Sequence, residues 1–219
     1  MPVCSISSKR AVLNAAKLYV VLDTAVFGFT KLFNILKQTV AAGTLIVQLR
    51  SKDAATKEII TFLKKARTVT KNKALLIVND WPQLVTASGG DGVHLGQDDL
   101  TLKEARVILG ADKLIGISCQ TLLQAKQAQK DGADYIGFGS VFKTQTKPDR
   151  QGLELKVITK ISREINIPVF FIGGITLTNV QQVIKSGGKR IAVTRAVCKA
   201  ADVQRTTVQF LNKLRRTDR

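Results

Sequence analysis

Ala74-Leu75-Leu76-Ile77-Val78-Asn79-Asp80 is the stretch on which the fold turns: five apolar residues without a break, then an amide and an acid. A short unbroken run of this kind belongs to a strand buried on both faces, as in a parallel sheet covered by helices. The polar pair marks where that strand stops. The same order recurs along the chain. Leu45-Ile46-Val47 leads into Gln48-Leu49-Arg50-Ser51-Lys52, Gly92–Gly96 into Gln97-Asp98-Asp99, and Tyr135–Phe142 into a loop carrying Thr144-Gln145-Thr146-Lys147. Polar chemistry therefore collects at strand C-termini.

Extended to the whole chain, this pattern predicts strands over Lys17–Asp23, Thr44–Arg50, Ala74–Asp80, Gly92–Gly96, Lys113–Ser118, Ala133–Gly139, Pro168–Gly174 and Arg190–Val197. Amphipathic stretches lie between them: Lys31–Ala41, Ala54–Lys71, Leu102–Leu109, Leu122–Lys130, Leu155–Ile165 and Asn179–Ser186. Trp81–Ser88 reads as a short helix and Ala201–Leu214 as the last one. Strand and helix alternating eight times predicts a single α/β domain, a (β/α)8 TIM barrel, over about residues 17–216. Residues 1–16 read as a frayed N-terminal arm. A doubly wound sheet would place a glycine-rich phosphate loop after its first strand. Here Thr-Ala-Val-Phe-Gly-Phe-Thr follows Asp23, without that fingerprint. A barrel of 219 residues has ample length for one core.

The composition narrows the chemistry. One histidine, His94, and three scattered cysteines, Cys4, Cys119 and Cys198, argue against a zinc site or a Ser-His triad. No apolar run approaches the ~20 residues of a membrane span, and the N-terminus lacks a secretory core. A cytoplasmic protein with free thiols is expected. The charge is strongly positive, 34 basic against 16 acidic residues for a net +18. Such an excess attracts polyanions. However, the basic residues spread through the helices, with a small terminal cluster at Lys213-Leu214-Arg215-Arg216. No basic-aromatic RNA motif accompanies them. A solvated basic surface serving small anionic ligands is the preferred reading, with a nucleic-acid-binding module as the competing one.

In a parallel barrel the strand C-termini form one rim, where active sites lie. Gln48, Arg50 and Lys52 alternate along the second strand and its exit, so they share one face. The planar fork of Arg and the point charge of Lys suit a diphosphate. Asp80, with one of the tandem acids Asp98 and Asp99, offers carboxylates from neighbouring strands, the sparse set that Mg²⁺ accepts. The competing role for Asp98 or Asp99 is the N-cap of the following helix. His94, between Val93 and Leu95, reads as a packed, hydrogen-bonded residue rather than a catalytic one. Ser118 ends the fifth strand with a hydroxyl for an anion, and Cys119 has no partner base. The loop with Thr144, Gln145, Thr146 and Lys147 is long enough to close over substrate. Gly174 with Thr194-Arg195 reads as a monophosphate grip at the seventh and eighth strands.

The ordered set QLRSK, ND, HLGQDD, GIS, GADYIGFGSVFKTQTK and FIGGI resembles the thiamine-phosphate synthase family over roughly residues 17–200. The resemblance implies a (β/α)8 enzyme that uses Mg²⁺. It would join 4-amino-5-hydroxymethyl-2-methylpyrimidine diphosphate to 4-methyl-5-(2-phosphoethyl)thiazole, giving thiamine monophosphate and pyrophosphate. Carried over by position, Gln48, Leu49, Arg50, Ser51 and Lys52 would hold the pyrimidine diphosphate, joined by Asn79, Ser118 and Lys147. Asp80 and Asp99 would ligate Mg²⁺. Thr144, Gln145, Thr146, Gly174, Thr194 and Arg195 would bind the thiazole phosphate. Arg50, Lys52, Ser118 and Lys147 would carry catalysis by neutralising the leaving pyrophosphate.

Three positions depart from the family pattern: Gly139-Ser140 replaces Gly-Pro, Cys119-Gln120 follows Ser118 where His is frequent, and Thr194-Arg195-Ala196 replaces Val-Ser-Ala. Arg195 either strengthens the grip or obstructs it. A thiazole tautomerase shares the barrel but relies on a histidine near the fifth strand, which this chain lacks. A degenerate scaffold barrel would not need the ligand set. The oligomeric state is open, a homo-oligomer included.

Overall fold

The computed structural model describes residues 5–143 and 152–215. The expectations placed on Thr144, Gln145, Thr146 and Lys147, and on Cys4 and Arg216, fall outside those residues. The described chain opens with α1 (Ile6–Ala15), then alternates: β1 (Leu18–Asp23), α2 (Phe29–Ala41), β2 (Ile46–Arg50), α3 (Thr56–Thr70), β3 (Leu75–Asn79), α4 (Pro82–Ser88) and β4 (Gly92–Leu95). It continues through α5 (Leu102–Leu109), β5 (Leu114–Cys119), α6 (Leu122–Lys130), β6 (Tyr135–Gly139), α7 (Leu155–Glu164), β7 (Val169–Ile172), α8 (Val180–Lys185), β8 (Ile191–Val193), α9 (Arg195–Cys198) and α10 (Val203–Arg215). All eight strands are parallel and close in chain order, with β8 pairing β1. The predicted (β/α)8 barrel is the observed fold. No helix among the described residues is long and apolar enough to cross a membrane.

Strand alternation divides the side chains into two cores. Leu18, Val20, Leu22, Val47, Leu49, Leu76, Val78, Ile136 and Phe138 face outward and pack under the helices. Tyr19, Ile46, Leu75, Ile77, Leu114, Tyr135, Phe170 and Ala192 fill the barrel itself. Because the period is two, the same inward face continues upward through Gln48, Asn79, His94 and Ser118 to the C-terminal rim.

Residues 6–15 are not a frayed arm but a helix that closes the barrel floor. Ser5 caps it through its side chain and the Ser8 N–H. Leu13 and Ala16 join the inner core. Lys9 Nζ donates to the Asp112 carbonyl at 2.7 Å, and Arg10 pairs with Asp134 at 2.8 Å. Its apolar residues bunch at Ala11-Val12-Leu13, so the local pattern is weak; only the barrel mouth makes them a packing face.

The last strand is also shorter than its β-branched run implies. β8 stops at Val193, and Thr194 leads into the single turn of α9, its carbonyl accepting from Cys198 N–H at 2.9 Å. Thr194-Arg195 thus sits in a strand-to-helix turn, not within a strand through Val197.

Candidate active site

The inward-facing side chains rise into an open cavity of about 530 Å³ at the C-terminal rim. Gln48, Arg50, Lys52, Asn79, Asp80, Asp99, Ser118, Gly174, Thr194 and Arg195 all line it. Leu49 and Ser51 do not. Leu49 is buried in the outer core and Ser51 accepts a hydrogen bond from Thr24. Their parity on the strand points their side chains at the helix layer, so of the stretch Gln48 to Lys52 only Gln48, Arg50 and Lys52 line the cavity.

Asp23, the last residue of β1, was missed in the sequence although it shares inward parity with Tyr19. Its Oδ2 lies 2.7 Å from Arg50 Nη1, on the register pair Asp23↔Arg50. Its Oδ1 accepts from the Ala25 N–H at 3.0 Å. The buried carboxylate therefore fixes one edge of the guanidinium and leaves the rest of the fork toward the cavity.

Across the rim, Asp80 and Asp99 stand side by side. Asp80 follows β3 with a positive φ of 64°, a conformation a non-glycine residue adopts at a cost, and one that recurs at functional sites. Its N–H donates to the His94 carbonyl at 2.9 Å, which ties the turn to β4. Burial raises its carboxyl above the usual range, the adjacent Asp99 raises it further, and Lys52, with Nζ at 3.4 Å, opposes both. Asp99 accepts from the Gly96 N–H. The following helix is capped by Thr101 with Glu104, so neither Asp98 nor Asp99 serves as its N-cap. Two crowded carboxylates that resist sharing negative charge fit a divalent cation. Among the described residues no group of three His, Cys, Asp or Glu could hold a metal ion. Asp80 and Asp99 are the two residues here that could take part in holding a cation.

The floor is polar. His94 sits 2.9 Å from Ser118 Oγ through Nε2 and 3.2 Å from Tyr135 Oη through Nδ1, the hydrogen-bonded setting expected of it. Gln48 Nε2 donates to Tyr19 Oη at 2.6 Å. Neither tyrosine was singled out in the sequence, where each reads as strand filling. Burial pushes the Cys119 thiol up to about 12, so it supplies no thiolate at neutral pH.

On the opposite side, Gly174 adopts a φ of 63°, and a Cβ there would crowd the Lys143 carbonyl. Lys143, Thr194 and Arg195 line the cavity beside it. The rim thus has a cation-and-carboxylate half over β1–β4 and a second basic half over β6–β8.

The family model for thiamine monophosphate synthase matches residues 18–197. A thiamine-phosphate synthase from Gloeobacter violaceus is 42% identical over 208 residues, 94% of this chain and 60% of that protein. One from Methanosarcina barkeri is 36% identical over 212 residues, 96% of each. The chain therefore spans less than two thirds of the first relative and nearly all of the second. Among solved structures, the thiamine phosphate pyrophosphorylase from Pyrococcus furiosus superimposes with a TM-score of 0.85 at 34% identity, covering 94% of this chain and 98% of that one. With its strand-end residues gathered on one rim and its whole barrel matched, this chain belongs to the thiamine monophosphate synthase family.

Proposed function

We propose that this chain condenses 4-amino-5-hydroxymethyl-2-methylpyrimidine diphosphate with 4-methyl-5-(2-phosphoethyl)thiazole, releasing thiamine monophosphate and pyrophosphate. The observation that carries the reading is the meeting of Arg50 and Lys52 with the Asp80–Asp99 pair on one cavity wall. A diphosphate needs cations, and a metal-bound diphosphate needs carboxylates beside those cations. Lys52 Nζ lies 3.4 Å from Asp80 Oδ2, within reach of the same wall that a diphosphate would occupy.

The thiazole nitrogen carries a lone pair at neutral pH and needs no deprotonation. A general base is unnecessary, consistent with a rim whose one imidazole lies in the floor. The C–O bond from the pyrimidine methylene to the diphosphate breaks, and the new C–N bond takes its place. Negative charge grows on the leaving pyrophosphate. Arg50, braced by Asp23, meets that charge with Lys52 and the Ser118 hydroxyl. Asp80 and Asp99 would hold Mg²⁺, which supplies further charge neutralisation at the pyrophosphate oxygens. Gly174, Thr194 and Arg195 would hold the thiazole phosphate, so that the ring nitrogen waits in line with the methylene. Lys147 would contact the diphosphate, and Thr144, Gln145 and Thr146 the thiazole phosphate.

The test mixes purified protein, both substrates and Mg²⁺, and follows thiamine monophosphate by chromatography. Product is expected in the complete mixture and not after chelation. Arg50→Ala should lower kcat by about 100-fold or more, the scale of losing one preorganised charge donor. Normal turnover in that variant would remove the assignment.

A further inference from the structure

Beneath the cavity a line of hydrogen bonds crosses the barrel and surfaces at Ser118. Gln48 Nε2 donates to Tyr19 Oη at 2.6 Å, and Tyr19 Oη lies 3.0 Å from Tyr135 Oη. Tyr135 Oη lies 3.2 Å from His94 Nδ1, and His94 Nε2 lies 2.9 Å from Ser118 Oγ. Five strands contribute, β2, β1, β6, β4 and β5 in that order. Gly116 keeps room for the line, since a Cβ there would collide with the Tyr135 ring.

With the Gln48 amide turned to donate through Nε2, counting protons sets the direction of each further bond. Burial raises both phenols well above their ordinary value, so each oxygen keeps one proton to donate. Tyr19 is 2% exposed, and its hydroxyl meets Gln48 and Tyr135. Gln48 already donates to it, so the Tyr19 proton goes to Tyr135; otherwise a buried hydroxyl proton is left without an acceptor. Tyr135 is fully buried and accepts from Tyr19, so its own proton goes to His94 Nδ1. A neutral imidazole that accepts at Nδ1 carries its proton at Nε2. That Nε2–H donates to Ser118 Oγ, and the Ser118 proton is left for the cavity. Run backwards, the line would place the proton on Nδ1. Ser118 would then donate to His94 and turn only lone pairs toward an incoming anion.

The geometry points to a directional relay, Gln48 to Tyr19 to Tyr135 to His94 to Ser118, in which the two tyrosines are positioning residues. They fix the tautomer of His94 and so make Ser118 a dedicated hydrogen-bond donor to the departing pyrophosphate. The role toward pyrophosphate rests on the function proposed above; the direction of the relay does not. As charge builds on the leaving group, each bond in the line polarises the next, which lets phenols remote from the substrate act on the reaction.

His94 is the only histidine in the chain, so nitrogen-15 labelling of histidine reports this ring alone. The wild-type protein is expected to show a protonated Nε2 and an unprotonated Nδ1; a proton on Nδ1 overturns the relay. Tyr135→Phe removes one oxygen and keeps the ring. It should redistribute the imidazole between tautomers and lower kcat about tenfold, the worth of one net hydrogen bond, with KM for the diphosphate changed less than about twofold. In a Ser118→Ala background the same change should cost nothing further, because the terminal donor is already gone. An equal loss in both backgrounds shows a packing role and overturns the proposal. The tautomer is read without substrate. An Nδ1–H ring in an active enzyme therefore sinks the relay alone, whereas an Nε2–H ring in an inactive one sinks only the reaction.

Discussion

Asp80 combines a left-handed backbone with a carboxyl that burial and Asp99 hold above its ordinary range. The conformation alone costs on the order of 1 kcal/mol. The electrostatic cost has a definite pH signature. A carboxyl whose folded pKa exceeds its unfolded value destabilises the fold once ionised. That penalty is complete above the folded pKa, shrinks as pH falls through it, and is gone below the unfolded value. The Lys52 pair offsets little of it, since the lysine side chain is 55% exposed and the N–O distance is 3.4 Å. In metal-free protein, Asp80→Asn should therefore raise Tm near pH 7, and the gain should disappear toward about pH 3.5, below the ordinary carboxylate value. Thermal scans across that range check it. Added Mg²⁺ should raise Tm in the wild type and leave the Asn variant unmoved. At this scale the sequence was legible where alternation alone decides. Gln48, Arg50 and Lys52 share the cavity, while Leu49 and Ser51 between them do not. Asp23 was not legible as a brace for Arg50, because its partner lies 27 positions away and only the register of β1 with β2 joins them.

Elements are tied differently at the two ends of the barrel. Around the floor, buried acids hold strand starts and helices together. Asp91 accepts from the Leu76 N–H and from Arg67 at 2.6 Å. Asp134 accepts from the Ile115 N–H at 2.9 Å and pairs with Arg10 of α1 and Arg106 of α5. One carboxylate thus joins a strand to two helices, at the end of the barrel where such ties serve stability. Asp134→Ala should cost about 3 kcal/mol, as removal of one partner of a buried ionic tie does. Urea denaturation measures the loss, and kcat per folded molecule should be unchanged. Long apolar runs made β1 to β7 readable to within a few residues. α1 was not, because its bunched apolar residues gain meaning only against a closed barrel floor.

The whole molecule carries a net charge of +18. Exposed lysines on α2 and α3, among them Lys31, Lys37, Lys57, Lys64 and Lys65, contribute to it. Lys31 sits 3.5 Å from the centre of the Phe27 ring, and Lys65 4.4 Å from that of Phe33. A field of this sign gathers phosphorylated ligands before they reach the rim. Under the proposed reaction, kcat/KM should fall about tenfold or more between roughly 0.05 and 0.5 M salt, while kcat stays within about twofold, since screening acts on encounter. Stopped-flow or initial-rate measurements at low substrate distinguish the two. A salt-independent kcat/KM would show that the charge has another purpose.

The sequence by itself determined the barrel, the rim that carries the chemistry, and the cations and acids on it. Each of these follows from local periodicity, with two-residue alternation within strands and polar residues where strands end. Only the tertiary structure decided which residues act together. Closure of β8 on β1 brings Tyr19 against Tyr135 across 116 positions of chain, and the register of β4 with β5 sets His94 on Ser118. Pairing of β3 with β4 seats Asp80 beside Asp99, and the closed barrel turns residues 6–15 into a floor. Such partnerships depend on strand register and on the tilt that closes the sheet, which no stretch of sequence encodes alone.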